Sequence, residues 1–339
     1  MHDLAINLEK AGITCREDEP LSSYTTFRIG GPAKLFASAG SSDQLHLIIE
    51  QAKNHKIPFL VLGKGSNILV SDKGFDGLAI FNNATSWRIL ESVQESQQKQ
   101  VNIKQRFDRL EKSVFSEPAD KNDEKILIEV ESGSVIGVLM KQLFKQNIYG
   151  LEWFSGIPST VGGAIYMNMH GADHFFGELL HSAVLSDGKT IKTVDRDYFQ
   201  FDYDWSILHK TKEVVLKANL ILNKGNTDKA KEEAKNWARY KANQPWKSAG
   251  CIFQNLTEEQ KIDAQLPSVS IGYLVDKILN LKGERRGDAI ISQSHAAFIE
   301  NVGEATAQDV WELINLIKET TKMKFGIDLK LEVQLVGEF

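Results

Sequence analysis

Two glycine-bearing loops hold the residue types most able to do chemistry. The first, Gly63-Lys64-Gly65-Ser66-Asn67, lies between the apolar runs Phe59–Leu62 and Ile68–Val70. Glycine lets successive backbone N–H groups approach a phosphate and form an anion-binding concavity. The same five residues also read as a hairpin turn with Gly and Asn at positive φ. They are not a dinucleotide G-x-G-x-x-G, because Ile68 stands where the third glycine belongs, and the chain contains no G-x-x-x-x-G-K-[ST]. A Rossmann nicotinamide site or a Walker ATP site is therefore unsupported. The second loop, SGIPSTVGGAIYMN over residues 155–168, sets small residues and Thr160 at the start of a short helix. There a pyrophosphate would gain amide hydrogen bonds and the field of the helix terminus. Tight packing through Gly162 and Gly163 is the structural alternative.

Cys251 in SAGCIFQN and Glu332 near the end of the chain are two further candidates. Each also reads without chemistry: a thiol on a small-residue turn packs, and an outward Glu on a strand pairs with a lysine such as Lys330. His170 and His174 have metal-ligand spacing for a helix, but Gly171 interrupts it and no third ligand recurs nearby, so no metal is expected. The absence of H-E-x-x-H and G-x-S-x-G removes metalloprotease and serine-hydrolase readings. Cys15 and Cys251, the only cysteines, are far apart and read as free thiols in a reducing compartment.

The elements that must position these residues follow from periodicity. Ser41 and Gln44 stand at capping-box spacing before Leu45, Ile48, Ile49 and Ala52, which predicts a helix of about twelve residues. Strand, glycine loop and strand follow. Residues 91–125 are rich in Gln, Lys, Glu, Ser and Asp and predict a solvated insertion. ILIEVESG then reads as a strand, and Ile136, Leu139, Met140 and Leu143 as one face of a helix. The charged helix KAKEEAKNWARYK, residues 229–241, looks like a boundary between units. Beyond it, Ile271, Leu274, Val275 and Ile278 form one helical face, and Val310, Leu313, Ile314 and Ile317 another. Residues 328–339 alternate as a half-buried strand, with Glu332 pointing away from the apolar face.

With 339 residues, 42% of them hydrophobic and 25% charged, the chain has the make-up of a globular protein of two or three units. Its net charge of −5 offers no basic field for nucleic acid. No run approaches the ~18 apolar residues of a membrane span, and the first twenty residues lack the apolar core of a signal peptide. A cytoplasmic protein without membrane insertion is expected, with a monomer as its form.

Taken in order, YTTFRIGG (24–31), LGKGSNILVSD (62–72), GLEWFSGIPSTVGGAIYMN (150–168), FDYDWS (201–206), QPWKSAGCIFQN (244–255), GYLVDKILNLKGERRGDAIISQSHAAFIEN (272–301), TAQDV (306–310) and LEVQLVG (331–337) resemble the UDP-N-acetylenolpyruvoylglucosamine reductase (MurB) family. The short stretch between Ser206 and Arg239 is similar to the subgroup lacking an extra substrate-covering loop. The resemblance implies an α+β protein: a vanillyl-alcohol-oxidase (PCMH-type) FAD-binding fold over 1–225, a smaller α/β substrate domain over 226–326, and a terminal strand, 327–339, returning to the FAD domain. It implies FAD bound along Ile29, Gly30 and Gly31; Gly63, Lys64, Gly65, Ser66, Asn67, Ile68 and Leu69; and Ser155, Gly156, Ile157, Thr160, Val161, Gly162, Gly163, Ala164 and Asn168. NADPH would reduce the flavin. The substrate would be UDP-N-acetylglucosamine enolpyruvate, a UDP-sugar, near Arg239, Asn243, Gln244 and Asn255.

Hydride addition to the enolpyruvyl alkene leaves an enolate that must be stabilised and protonated. By resemblance, Cys251 stands where the family has a proton-donating serine and Glu332 where it has a glutamate. Tyr203-Asp204-Trp205-Ser206 stands in a Tyr-Arg-x-Ser motif. A thiol is a reasonable donor. Asp204 in place of arginine exchanges a cation for an anion, and the expectation is repulsion of substrate and enolate. Arg239, Lys241, Lys247 or the pair Arg285 and Arg286 would supply the missing charge. Asn243 for lysine, Gln254 for lysine, Ser159 for glycine and Met169-His170 for small residues are further departures. They leave two other outcomes open: a flavoprotein of this fold with another small substrate, and a catalytically silent flavin-binding homologue.

Overall fold

The structure, a computed structural model, describes residues 1–93, 123–172 and 174–339. It opens with α1 (His2–Lys10), β1 (Cys15–Pro20), β2 (Pro32–Ala39), α2 (Ser42–Asn54), β3 (Phe59–Leu62), β4 (Ile68–Val70) and β5 (Phe75–Asn82). One sheet runs β1-β2-β5-β3, with β1 antiparallel to β2 and both β2 and β3 parallel to β5. The Ser41 hydroxyl accepts from the Gln44 N–H at 3.2 Å and starts α2 where its spacing predicts. Leu45, Ile48, Ile49 and Ala52 are fully buried against Leu35, Ala37, Leu78 and Ile80. At about 1.5–3 kcal/mol per fully buried large aliphatic side chain, this stripe holds the helix on the sheet.

The second subdomain comprises β6 (Trp87–Val93), β7 (Glu124–Glu131), α3 (Ile136–Phe144), β8 (Ile148–Tyr149), α4 (Val161–Met167), β9 (His170–Gly171), β10 (His174–Phe175), β11 (Leu180–Ser186), β12 (Ile191–Asp195), α5 (Leu208–Thr211) and β13 (Val214–Lys224). Its antiparallel sheet runs β12-β11-β13-β7-β6, with β8 also paired to β13. Ile126, Ile128 and Val130 alternate inward beneath Leu139 and Leu143 of α3 and Ile165 of α4. The ends of the expected insertion are strand instead of loop: Val93 pairs with Lys125, because the ladder continues past the point where apolar alternation stops. Residues 94–122 lie outside the described residues.

The remainder holds α6 (Asp228–Lys241), α7 (Glu258–Asp263), α8 (Ile271–Tyr273) running into a π-turn over Leu274–Ile278, β14 (Arg285–Arg286), β15 (Ala289–Ile291), β16 (Ile299–Asn301), α9 (Ala307–Phe325) and β17 (Gln334–Val336). Although it looks like a boundary, α6 inserts Ala234 into the core of the second subdomain. The C-terminal core gathers Leu274, Val275, Val310, Leu313 and Ile317 around the β14-β15-β16 sheet and takes in Phe27, Ile29 and Leu69 from the N-terminal part. Thr306 and Asp309 form a capping box on α9, and Gly326 ends it at φ 69°. Asp72 accepts from the Ala307 and Gln308 amides at 2.8 and 3.0 Å, so an N-terminal carboxylate caps a C-terminal helix. Asp72→Ala is expected to lower unfolding free energy by about 0.5–2 kcal/mol, read as a lower urea midpoint. An unchanged midpoint would show that this cap does not couple the two units.

The alternation expected over residues 328–339 yields a strand only at Gln334–Val336. Leu329 and Val333 are buried, but Leu335 is 37% exposed and Val336 is buried, so the pattern shifts by one at Gln334. There the chain leaves the C-terminal core and pairs in parallel with β4. That pairing also removes the hairpin reading of residues 63–67. The loop joins β3, paired with β5, to β4, paired with β17, and those strands lie in different sheets.

Candidate active site

A cavity of about 2070 Å³ opens where the two subdomains and the C-terminal unit meet. Small-ligand pockets commonly span about 300–1,000 Å³, so this one has room for a dinucleotide together with a second molecule. Gly63, Lys64, Gly65, Ser66, Asn67 and Ile68 line it, and so do Gly156, Ile157, Thr160, Gly162 and Gly163. A Cβ on Gly65 would lie 2.2 Å from the Tyr24 carbonyl oxygen at a φ of +57°, and one on Gly63 would lie 2.5 Å from Thr160 Oγ1. Gly63 therefore lets the first loop approach the second, and Gly65 lets it pass close to the Tyr24 backbone.

Their hydrogen bonding assigns them different parts. The second loop's helix-start amides are engaged within the protein: Val161 N–H donates to Ser134 O at 2.9 Å and Gly162 N–H to Ser132 O at 2.8 Å. Gly163 N–H donates to Thr160 Oγ1 at 3.3 Å. These helix-start amides are therefore taken, contrary to expectation, whereas Thr160 Oγ1 only accepts here and keeps its own proton to donate on the cavity wall. In the first loop, among the described residues, the N–H groups of Lys64, Gly65, Ser66 and Asn67 meet no protein acceptor. Four adjacent donors beside a cavity suit a diphosphate, so these residues fit FAD.

Other residues expected at the cofactor stand behind that wall. Ile29, Gly30, Gly31, Leu69, Ser155, Val161, Ala164 and Asn168 do not line the cavity. Asn168, fully buried at φ 46°, instead holds the backbone: its Nδ2 donates to Asp202 O at 2.9 Å and its Oδ1 accepts from Gly177 N–H at 3.1 Å. On the substrate side Gln244 and Asn255 line the cavity, whereas Arg239 and Asn243 do not. Arg239 Nη1 donates to Asn236 Oδ1 at 3.4 Å on the exposed face of α6, and Asn243 Nδ2 to Arg239 O at 3.4 Å. Residues 239 and 241 are about 200° apart around a helix, so Lys241 faces the cavity when Arg239 faces water.

The far wall brings four chain segments together. An antiparallel bridge between Phe253 and Leu331 and the Glu332 N–H to Ile252 O bond of 2.9 Å set Cys251 and Glu332 side by side. Asn67 Nδ2 donates to the Glu332 carbonyl at 3.2 Å and ties this wall to the first glycine loop. Tyr203 hydrogen-bonds Asn255 and lies close to the carboxyl groups of Asp204 and Glu332, which disfavour its ionisation. Burial, with Asp204 as a second cause, holds the Glu332 carboxyl well above the usual carboxylate range, and Lys241 opposes this. Burial, reinforced by Glu332, likewise pushes the Cys251 thiol well up. Glu332 thus points away from the apolar face, as its alternation predicts, but into the cavity and not toward Lys330. His170 and His174 sit on neighbouring strands, His170 stacked on Tyr203 at 5.3 Å and His174 on Trp153 at 4.3 Å.

The pairing of His170 with Asp204 escapes sequence reading, whose only hint is the bulky residue two places after Asn168. The link from Thr26 Oγ1 to Ser248 O, 2.6 Å, is also invisible in the sequence. Of the four places named for the missing cation, Lys241 is the one on the cavity wall whose charge reaches Glu332, Cys251 and His170. Lys241→Met is expected to raise KM for an anionic substrate about 10–100-fold, the size of a lost charge-assisted hydrogen bond, with Arg239→Met near wild type. Equal effects from both variants would remove Lys241 from the site.

A dinucleotide-sized cleft between two α+β subdomains, with a C-terminal unit closing its far wall, fits a dinucleotide cofactor such as FAD. An FAD binding domain family model matches residues 113–193, and the fold is the α+β vanillyl-alcohol-oxidase type with an appended C-terminal unit. The family model for the C-terminal domain of UDP-N-acetylenolpyruvoylglucosamine reductase matches residues 241–336. UDP-N-acetylenolpyruvoylglucosamine reductase of Clostridium novyi (strain NT) is 32% identical over 326 residues, 94% of this chain and 91% of that protein. Its counterpart in Bacillus pumilus (strain SAFR-032) is 34% identical over 328 residues, covering 95% and 94%. The crystal structure of the Thermus caldophilus reductase superposes with a TM-score of 0.68 at 26% identity, over 96% of this chain and 99% of that one. The chain belongs to the UDP-N-acetylenolpyruvoylglucosamine reductase family.

Proposed function

We propose that the protein reduces UDP-N-acetylglucosamine enolpyruvate to UDP-N-acetylmuramate, a step of peptidoglycan precursor synthesis that serves cell-wall biogenesis in the cytoplasm. FAD, when bound, supplies two-electron hydride chemistry between NADPH and the substrate. The amides of residues 64–67 hold its diphosphate. Lys241 draws the anionic substrate to the wall that carries Cys251 and Glu332. Cys251 Sγ keeps its proton, because burial and the neighbouring carboxyl groups disfavour a thiolate, and gives it to the carbon next to the substrate carboxylate. Glu332 and Tyr203 flank that carbon and orient the enolpyruvyl group. The observation that carries this reading is the convergence of Cys251, Glu332, Tyr203 and Lys241, from distant parts of the chain, on one cavity. Among the described residues no helix is long and apolar enough to cross a membrane.

The test is anaerobic. NADPH reduces the bound flavin, UDP-N-acetylglucosamine enolpyruvate is added, and return of the visible flavin absorbance is followed. Reoxidation with formation of UDP-N-acetylmuramate is expected. A flavin that stays reduced would leave the fold assigned and this substrate excluded.

A further inference from the structure

Asp204 sits in a tight turn closed by Asp202 N–H to Trp205 O at 3.1 Å and Trp205 N–H to Asp202 O at 3.3 Å. Asn168 and Ser206 clamp the turn, Ser206 Oγ donating to Tyr166 O at 2.7 Å. The turn holds Asp204 at φ 49° and only 5% exposed, yet on the cavity wall. Its Oδ1 lies 3.5 Å from His170 Nε2. Its Oδ2 is buried and has no hydrogen-bond partner among the described residues.

A carboxylate with a bare buried oxygen is a costly arrangement, whereas the neutral acid carries a hydroxyl that can donate. The neighbourhood favours the neutral form. Glu332 comes from the terminal segment, Cys251 from the segment before Phe253, Tyr203 from the same turn, His170 from β9 and Lys241 from α6. Three of these five are acids. Burial and the charge of Lys241 lower His170 to about 4, so it stays neutral at pH 7 and offers Asp204 no cation. Burial alone raises Asp204 to about 7.

Resting on the function proposed above, we propose that Asp204 binds the substrate as a carboxylic acid, its protonated carboxyl donating a hydrogen bond to the enolpyruvyl carboxylate from the cavity wall. A neutral donor thus does here what a guanidinium does in the Tyr-Arg-x-Ser motif, and the expected repulsion does not arise. A carboxyl group kept neutral in an apolar site to donate a hydrogen bond has precedent in other enzymes. Asp204 keeps its proton throughout, and the proton delivered to product is the one on Cys251. The form that binds exists below the folded-state pKa, so binding is present in acid and lost as pH rises through about 7.

The test is kcat/KM for UDP-N-acetylglucosamine enolpyruvate from pH 5.5 to 9 in the FAD-loaded wild type, Asp204→Asn and Asp204→Ala, with NADPH-driven flavin bleaching followed separately. Wild-type kcat/KM is expected to fall about tenfold per pH unit above about 7 while bleaching does not follow that fall. Asp204→Asn, a donor that cannot ionise, is expected to keep at least about a fifth of wild-type kcat/KM at pH 6 and to lose the alkaline fall. Asp204→Ala is expected to lose about tenfold or more at pH 6, the size of one hydrogen bond to a charged group. An alkaline fall that persists in Asp204→Asn, or a wild-type profile flat to pH 9, overturns the inference alone. Wild-type flavin that bleaches but never reoxidises at any pH overturns the assigned substrate, and the inference with it.

Discussion

Cys251→Ala slows turnover of the enolpyruvyl substrate by about 10²–10⁴-fold, the range over which a positioned general acid acts. Cys251 lines the cavity, bridges to Phe298 and adjoins Glu332 through the Ile252 carbonyl. Burial and Glu332 both disfavour the thiolate, so the group holds a proton at every working pH and is a donor, not a nucleophile. Flavin bleaching by NADPH does not need that proton and keeps its rate in the variant. Cys251→Ser, which restores the family's hydroxyl, retains turnover within about tenfold of wild type. Stopped-flow reduction and reoxidation separate the two half-reactions. Reoxidation of the alanine variant within about threefold of wild type would assign the proton to another group.

Gly65→Ala weakens FAD binding by at least about 30-fold, equivalent to about 2 kcal/mol. The added methyl would sit 2.2 Å from the Tyr24 carbonyl oxygen at a φ of +57°, so the loop must move. Movement misplaces the four adjacent amides of Lys64, Gly65, Ser66 and Asn67, and hydrogen bonds to a charged group are worth about 1.5–3 kcal/mol each. Left-handed backbone strain adds to the loss. Flavin fluorescence on dilution reads the affinity. Wild-type FAD retention by Gly65→Ala would mean that the diphosphate is held elsewhere along the cavity.

Much of the architecture is legible in the sequence itself, because it rests on local signals. The spacing of Leu45, Ile48, Ile49 and Ala52 predicts α2, and its Ser41 cap falls where expected. The faces of α3 and α9 follow from the same period. The terminal segment was harder: alternation is a rule about one partner surface, and the chain changes partners at Gln334. The insertion's margins escape the sequence pattern for a related reason, since Val93 and Lys125 are held in strand by the ladder and not by apolar alternation.

The site divides the same way. Small residues at residues 63–67 and 155–168 announce close approach by themselves, since a missing Cβ is a property of each position. Which loop offers amides could not be read there, because the acceptors for Val161 and Gly162 are the carbonyls of Ser134 and Ser132, outside the motif. Two neighbours on one helix, Arg239 and Lys241, are equal candidates in a string of letters, and only docking of α6 sends one to water and the other to the cavity. Asp204 shows the division most sharply. Read as a letter it is an anion in a cation's place; packed beside His170, Glu332 and Cys251 with Oδ2 unpartnered, it favours its neutral form. Motif and period are carried by neighbours along the chain, whereas burial and facing charge come from segments well separated along it, and folding alone brings those together.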